Sequence, residues 1–202
     1  MKRLLIATNN RGKMKEIKSI LKDVPLKVVR IWDIDAGSGE IDIKETGTTF
    51  AQNAAIKAEA LGKVTGLLTL ADDSGLEIDA LGGKPGVRSA RFAESNKARI
   101  EKVLRLLKGV PRAKRSARFK AAVAIYDPET DETKIFEGET AGQITYKPHG
   151  SRGFGYDPIF YSTELKKTFG RATLKEKNSL SHRARALAKA KRFLRRRSQA
   201  SK

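Results

Sequence analysis

The stretch that most constrains this chain is Ala71-Asp72-Asp73-Ser74-Gly75-Leu76-Glu77-Ile78-Asp79-Ala80-Leu81-Gly82-Gly83, entered through the apolar run Leu67-Leu68-Thr69-Leu70-Ala71. Such a run bounded by turn residues reads as a buried strand, and buried strands belong to α/β sheets with both faces covered. The spacing predicts that the strand ends on two adjacent carboxylates. Carboxylates there are costly to desolvate unless a cation or hydrogen-bond donors meet them. The end of a strand is also where open α/β sheets bind ligands. Two readings follow: a divalent-metal site at Asp72 and Asp73, or an Asx-type turn built from Asp, Ser and Gly.

The order of elements around this stretch is that of an α/β protein. Arg3 to Thr8 reads as a first strand that runs into Asn9-Asn10-Arg11-Gly12-Lys13, and Met14, Ile17, Ile20 and Leu21 then fall on one helical face. Strand, polar glycine loop and helix form a phosphate-binding layout, because a helix start offers free N–H groups and Lys13 adds a full charge. The Walker A spacing is absent, and taken alone these residues favour an ordinary strand-to-helix turn with Asn and Gly. Val28 to Trp32 reads as a second strand with Trp32 in packing, and Ile41 to Lys44 alternates as a half-buried strand. Thr49 and Gln52 form a capping box that opens an amphipathic helix on Phe50, Ala54, Ala58 and Leu61. Asn53 and Lys57 share another face of that helix. Glu45, just upstream, either completes a metal site or is a solvated loop acid.

Further along, Ile100, Val103, Leu104 and Leu107 mark a helix stopped at Gly109-Val110-Pro111. Phe119–Tyr126 and Lys134–Glu139 read as a hairpin. Gly153-Phe154-Gly155 suits a loop that exposes a ring to a flat ligand, or else a bulge before the Ile159-Phe160 strand. Residues 162–180 read as a polar loop with at most a short helix, and a last helix starts at Ser181-His182-Arg183.

Composition excludes several classes. With no cysteine among its 202 residues the chain has no disulfide, thiol nucleophile or thiolate metal site. No apolar run approaches the roughly 18 residues of a membrane span, and the apolar start is too short for a signal peptide. A cytoplasmic protein is expected. The net charge of +19 is concentrated in residues 97–120 and in the acid-free stretch after residue 178. Attraction to polyphosphate or nucleic acid is one reading. A solvated basic surface is the other, favoured because no aromatics interleave with the cations as single-strand binders require.

Several separated stretches resemble one family, the inosine triphosphate pyrophosphatases. They are Thr8-Asn9-Asn10-Arg11-Gly12-Lys13; Glu45-Thr46-Gly47 with Phe50, Asn53-Ala54 and Lys57-Ala58; Ala71-Asp72-Asp73-Ser74-Gly75-Leu76; Pro85-Gly86-Val87 with Ser89-Ala90-Arg91; Gly153-Phe154-Gly155-Tyr156-Asp157-Pro158; and Lys177 with Ser181-His182-Arg183. The resemblance implies an α/β fold with a long twisted mixed sheet flanked by helices, in two lobes with a central cleft. One such domain is expected over residues 1–197, with a disordered basic tail at 198–202. It further implies a homodimer and Mg²⁺-dependent hydrolysis of ITP, dITP and XTP to the nucleoside monophosphate and pyrophosphate.

By the same resemblance, Glu45 and Asp73 match the metal ligands, and Asp73 also matches the acceptor of the attacking water's proton. Thr8, Asn9, Asn10, Arg11, Gly12 and Lys13, with Lys57 and Ser74, match the phosphate-binding residues. Phe154, Gly155, Tyr156, Asp157, Lys177, His182 and Arg183 match the residues that hold and read the base. No membrane or nucleic-acid partner is expected. The alternatives are a Maf-type nucleotide pyrophosphatase and a nucleic-acid-binding protein that uses the positive charge.

Overall fold

Seven strands form one mixed sheet in the order β2-β1-β3-β4-β5-β6-β7. The computed structural model describes residues 2–33 and 43–200. The strands are β1 (Arg3–Ala7), β2 (Lys27–Arg30), β3 (Leu68–Ile78), β4 (Ser116–Asp127), β5 (Glu132–Ile144), β6 (Phe160–Ser162) and β7 (Lys167–Thr168). The helices are α1 (Arg11–Leu21), α2 (Phe50–Thr65), α3 (Asn96–Leu106), α4 (Leu174–Leu180) and α5 (His182–Ala200). β1 pairs parallel with both β2 and β3, and β6 pairs antiparallel with β5 and β7. The chain divides into two compact units: residues 1–73, 121–137 and 185–202, and residues 74–120 and 138–184.

The first unit is built on β1. Leu4, Leu5 and Ile6 are all buried, so both faces of the strand are covered, as a parallel strand requires. Leu4 and Ile6 join Met14, Ile17 and Leu21 of α1, Leu68 and Leu70 of β3, Val123 and Ile125 of β4, and Leu187, Ala190 and Leu194 of α5 in one core. The apolar residues of α1 and α5 recur every three or four positions, which turns one stripe of each helix onto the sheet.

The capping box of α2 forms as the sequence predicts. The Gln52 N–H donates to Thr49 Oγ1 at 3.1 Å and the Thr49 N–H to Gln52 Oε1 at 3.1 Å. The helix ends at Gly66, whose φ of +62° is the left-handed conformation that favours glycine. Gly62, inside α2, lies against Tyr126 of β4: a Cβ there would sit 2.2 Å from Tyr126 Cδ1. Overpacking of this kind costs about 1–3 kcal/mol, more than the roughly 1 kcal/mol that alanine gains over glycine in a helix. Gly62→Ala is therefore expected to lower the urea midpoint, although it improves helix propensity.

The second unit has its own core, from Leu76 and Ile78 of β3, Val103 and Leu107 in and just after α3, Phe119 of β4, Ile144 of β5, and Ile159, Phe160 and Phe169. Phe119, Phe160 and Phe169 pack against one another with centroids 4.6–6.0 Å apart, the first and last stacked and the other two pairs tilted.

Several expectations change. β3 does not end at Ala71; Asp72, Asp73 and Ser74 are interior strand residues, which removes the turn reading. The second strand stops at Arg30, and Ile31–Asp33 is a 3-10 turn. Residues 162–180 hold the short helix allowed there, α4, opened by a second capping box of Thr173 and Glu176, and in addition the end of β6 and the strand β7. α5 continues through Ala200, past the start of the expected tail. Ile43 and Lys44 are not in a strand. Ile41, Asp42, the side chain of Trp32, and residues 201 and 202 lie outside the described residues.

Candidate active site

In the first unit, Asp72 and Asp73 are buried within β3, and their compensation comes from the two helices that precede it in sequence. Lys13 of α1 places its ammonium 2.8 Å from Asp72 Oδ2. Lys57 of α2 donates to Glu45 Oε1 at 2.7 Å and to the Asp72 carbonyl at 3.0 Å, and it lies 3.7 Å from Asp73 Oδ1. Asn53, one turn before Lys57, donates from Nδ2 to Asp73 Oδ2 at 3.2 Å and accepts the Gly47 N–H on Oδ1 at 2.8 Å. The second bond fixes the Glu45-Thr46-Gly47 segment against α2. A Cβ on Gly47 would lie 2.7 Å from that same Oδ1, so only glycine permits the approach.

Burial pushes the Asp73 carboxyl above its ordinary value of 3.8, against the lowering pull of Lys57 and Lys13. The carboxylates of Glu45, Asp72 and Asp73 meet the ammonium groups of Lys13 and Lys57 in this cluster. Among the described residues, no three acidic or histidine side chains converge as a ready metal cage. Glu45 and Asp73 nevertheless both lie within 4 Å of one cation, the Lys57 ammonium. Two hard oxygen donors suit Mg²⁺, which keeps several waters and completes its shell with substrate phosphates.

The glycine loop differs from the expected anion cradle. Asn10 Oδ1 caps α1 by accepting the N–H groups of Gly12 at 2.9 Å and Lys13 at 3.1 Å, and the Asn10 N–H itself donates to Thr8 Oγ1. Those two amides are occupied, so the positive charge offered here comes from side chains. Asn9 and Arg11, with Met14, Lys15 and Arg30, line a cavity of about 570 Å³.

In the second unit the glycine-rich loop is held by Asp157. Its Oδ2 accepts the Phe154 N–H at 2.8 Å and the Lys177 ammonium at 2.6 Å. Gly153, at φ +77°, leaves a space that a Cβ would close to within 2.0 Å of that oxygen. The Phe154 ring carries two cations, Lys177 Nζ at 4.7 Å and the Arg183 guanidinium at 5.5 Å from its centroid. Arg183 is only 1% exposed and donates from Nη2 to Ser74 Oγ at 2.6 Å. His182, the first residue of α5, stacks on Phe119 at 4.7 Å. Ser74 thus meets the Arg183 guanidinium through its hydroxyl. The Tyr156 hydroxyl donates to the Ser89 carbonyl at 2.8 Å, and burial pushes its phenol up. Gly155 supplies a second left-handed turn at φ +60°.

A family profile described as the Ham1 family matches residues 4–193. The chain belongs to the Ham1 family. Its relatives include the dITP/XTP pyrophosphatase of Bacillus subtilis, 49% identical over 197 residues that cover 96% of this chain and 98% of the relative. The dITP/XTP pyrophosphatase of Yersinia pseudotuberculosis is 43% identical over 191 residues, covering 93% and 95%. Among solved structures, a HAM1 protein from Coxiella burnetii superposes with a TM-score of 0.85 at 39% identity, covering 96% of this chain and 98% of that one. The Staphylococcus aureus Ham1 protein gives 0.83 at 40%, with the same coverage.

Against this Ham1 frame, two residues stand out that sequence reasoning left without a role. Asn53 is fully buried; its signals were its place in a matching stretch and its position one turn before a site lysine. The Asn178 amide, beside Lys177, is buried with neither Nδ2 nor Oδ1 hydrogen-bonded among the described residues. Asn53→Ala removes the donor to Asp73 and the acceptor for Gly47 together. Loss of both is expected to cost about 1–3 kcal/mol of stability and at least tenfold in turnover, read by thermal melting and steady-state kinetics.

Proposed function

We propose that this chain hydrolyses noncanonical purine nucleoside triphosphates, among them dITP, XTP and ITP, to the nucleoside monophosphate and pyrophosphate. It is a hydrolase of acid anhydrides that removes deaminated purines from the nucleotide pool. The observation that carries the reading is the buried Asp73, held by Asn53 and faced by Lys57 and Glu45, in a chain whose relatives are named for this reaction.

In this reading Asp73 accepts the proton of the water that attacks the α-phosphorus. Its raised proton affinity suits a general base. Lys13 and Lys57 neutralise phosphate charge, and Thr8, Asn9, Asn10, Arg11 and Gly12 form the adjoining polar loop. Glu45 and Asp73 hold Mg²⁺. When bound, the metal supplies charge neutralisation and a lowered pKa for bound water. Phe154 stacks on the purine, and Lys177, His182 and Arg183 supply polar groups toward its edge. Asp157, bonded through Oδ2 to Phe154 and Lys177, fixes the loop between Gly153 and Gly155, and Tyr156 anchors it through Ser89.

Hypoxanthine and xanthine carry an acceptor oxygen at position 6, where adenine carries a donor. Arginine only donates, so adenine is left mismatched. The enzyme is further proposed to work as a homodimer in the cytoplasm; no helix among the described residues is long and apolar enough to cross a membrane. The deciding experiment is pyrophosphate release from ITP, XTP, dITP, ATP and GTP, with Mg²⁺ and with EDTA. Metal-dependent release confined to the first three supports the reading. Equal rates on ATP, or no release from any of them, overturns it.

A further inference from the structure

Most of the chain's surplus positive charge lies outside the residues assigned to the substrate. Residues 102–126 and 140–156 contain no acidic residue at all, and one buried side chain ties the two stretches together. The Arg115 guanidinium, 2% exposed, donates to the carbonyls of Leu107 at 2.9 Å, Ile144 at 2.9 Å and Thr145 at 3.0 Å. The end of α3, the 3-10 turn Arg112–Lys114 and the end of β5 are thus fastened at one point of the second unit.

Tyr146 lies directly over that guanidinium, 4.5 Å from Arg115 Cζ to the ring centroid, and is 62% exposed. Four exposed cations border these segments: Lys108 beside Leu107, Arg112 and Lys114 in the turn that leads to Arg115, and Lys147 beside Tyr146. None of the four makes an ion pair among the described residues. The sequence argues against a single-strand binder because no aromatic interleaves with the basic run. The fold brings one in from 31 positions further along the chain.

We infer that Tyr146 and these four cations form a docking surface for single-stranded nucleic acid, distinct from the substrate residues. An exposed ring already braced by a guanidinium is rigid and electron-attracting, so a base stacks on it with little ordering cost, and the cations take the phosphates on either side. Any base offers a π-face, so the surface is tolerant of sequence. A second copy of the chain fits less well, because a two-fold contact sets each patch against itself and opposes four unpaired cations to four.

The test measures fluorescence anisotropy of a labelled oligo-dT and oligo-U of about 20 nucleotides with the full chain, across a salt series. The parent is expected to bind both, and more tightly than the matching duplex. Tyr146→Ala is expected to lose about tenfold in affinity, the worth of one stacked base, whereas Tyr146→Phe keeps it. The triple change Lys108→Ser, Arg112→Ser, Lys114→Ser is expected to flatten the slope of log affinity against log salt by about 2, at about 0.7 per phosphate contact on a single strand. Turnover of dITP stays at the parent level in all of these variants.

Equal affinity of Tyr146→Ala and parent overturns the inference, as does equal binding of duplex. Displacement of the oligonucleotide by dITP assigns it to the substrate residues and likewise overturns it. A fall in sedimentation mass on changing Tyr146 assigns the surface to a second copy, with the same consequence.

Discussion

Asp73→Asn is expected to lower turnover of dITP by about 10³-fold or more while leaving the protein folded and no less stable than the parent. The activity loss follows from removing a proton acceptor, worth 10² to 10⁴ in rate, together with one of two carboxylate metal ligands. The stability outcome runs the other way. Burial holds the Asp73 carboxyl above its ordinary 3.8 even with Lys57 and Lys13 nearby, so the folded chain disfavours its charged form. A carboxyl whose folded pKa is raised stabilises the fold below its unfolded pKa, and this advantage is lost as pH rises through the folded value. At neutral pH the charge is therefore a net burden, and asparagine removes it while still offering an oxygen to Asn53 Nδ2. In EDTA, the melting temperature of Asp73→Asn is expected to match or exceed the parent's at pH 7, with a smaller difference near pH 4. Added Mg²⁺ is expected to raise the parent's melting temperature and to leave the variant's largely unmoved. A variant that keeps activity within a few-fold removes Asp73 from both roles. One that melts well below the parent shows that the ion cluster, rather than the chemistry, needs the charge.

Asp73 also shows where reading the sequence stops. Its importance was legible, because two carboxylates beside a buried apolar run demand compensation. Its place was not. A strand interior is a poor site for two acids, so the residues alone argue for a strand end. The residue that makes the interior tolerable, Lys13, lies 59 positions from Asp72, while Asn53 and Lys57 come from a helix whose buried stripe reads as Phe50, Ala54, Ala58 and Leu61. Asn53 is as buried as that stripe, and no periodicity distinguishes a buried amide serving a site from an exposed one. α2 and α5 were legible because a capping box and an apolar stripe are local signals. β6, three residues long, was legible only at its start in Ile159-Phe160, whereas β7, two residues long, is specified by pairing with β6 and no local signal marks it. The same holds for the Thr8–Lys13 loop: its composition suggests open amides, but a single side chain, Asn10, takes up two of them.

Arg183 carries the second large effect. Its guanidinium is almost wholly buried, anchored on Ser74 Oγ at 2.6 Å and set 5.5 Å from the Phe154 ring. A group that can only donate, fixed beside a stacking ring, favours a base with an acceptor at position 6. Sites built on such a bond reject a mismatched partner by up to about 10⁴-fold, since the buried donor is then left unpaired. Arg183→Ala is expected to lower the ITP-to-ATP ratio of kcat/KM by about 10²-fold or more, chiefly through loss of ITP binding. The ITP-to-GTP ratio is expected to change far less, because guanine shares the oxygen at position 6 and its rejection falls to groups near position 2. Removing a buried arginine also leaves space and takes away its bond to Ser74, so melting is measured alongside. Arg183→Lys keeps the charge and much of the volume but lacks the planar fork, and its ratio is expected to fall between parent and alanine. Ser74→Ala removes the 2.6 Å bond to the guanidinium, with an expected loss of about tenfold in the same ratio. If neither arginine variant moves the ITP-to-ATP ratio, the position-6 reading moves to Lys177 and the unbonded Asn178 amide in the preceding helix. The same assays on Asn178→Ala then decide between them.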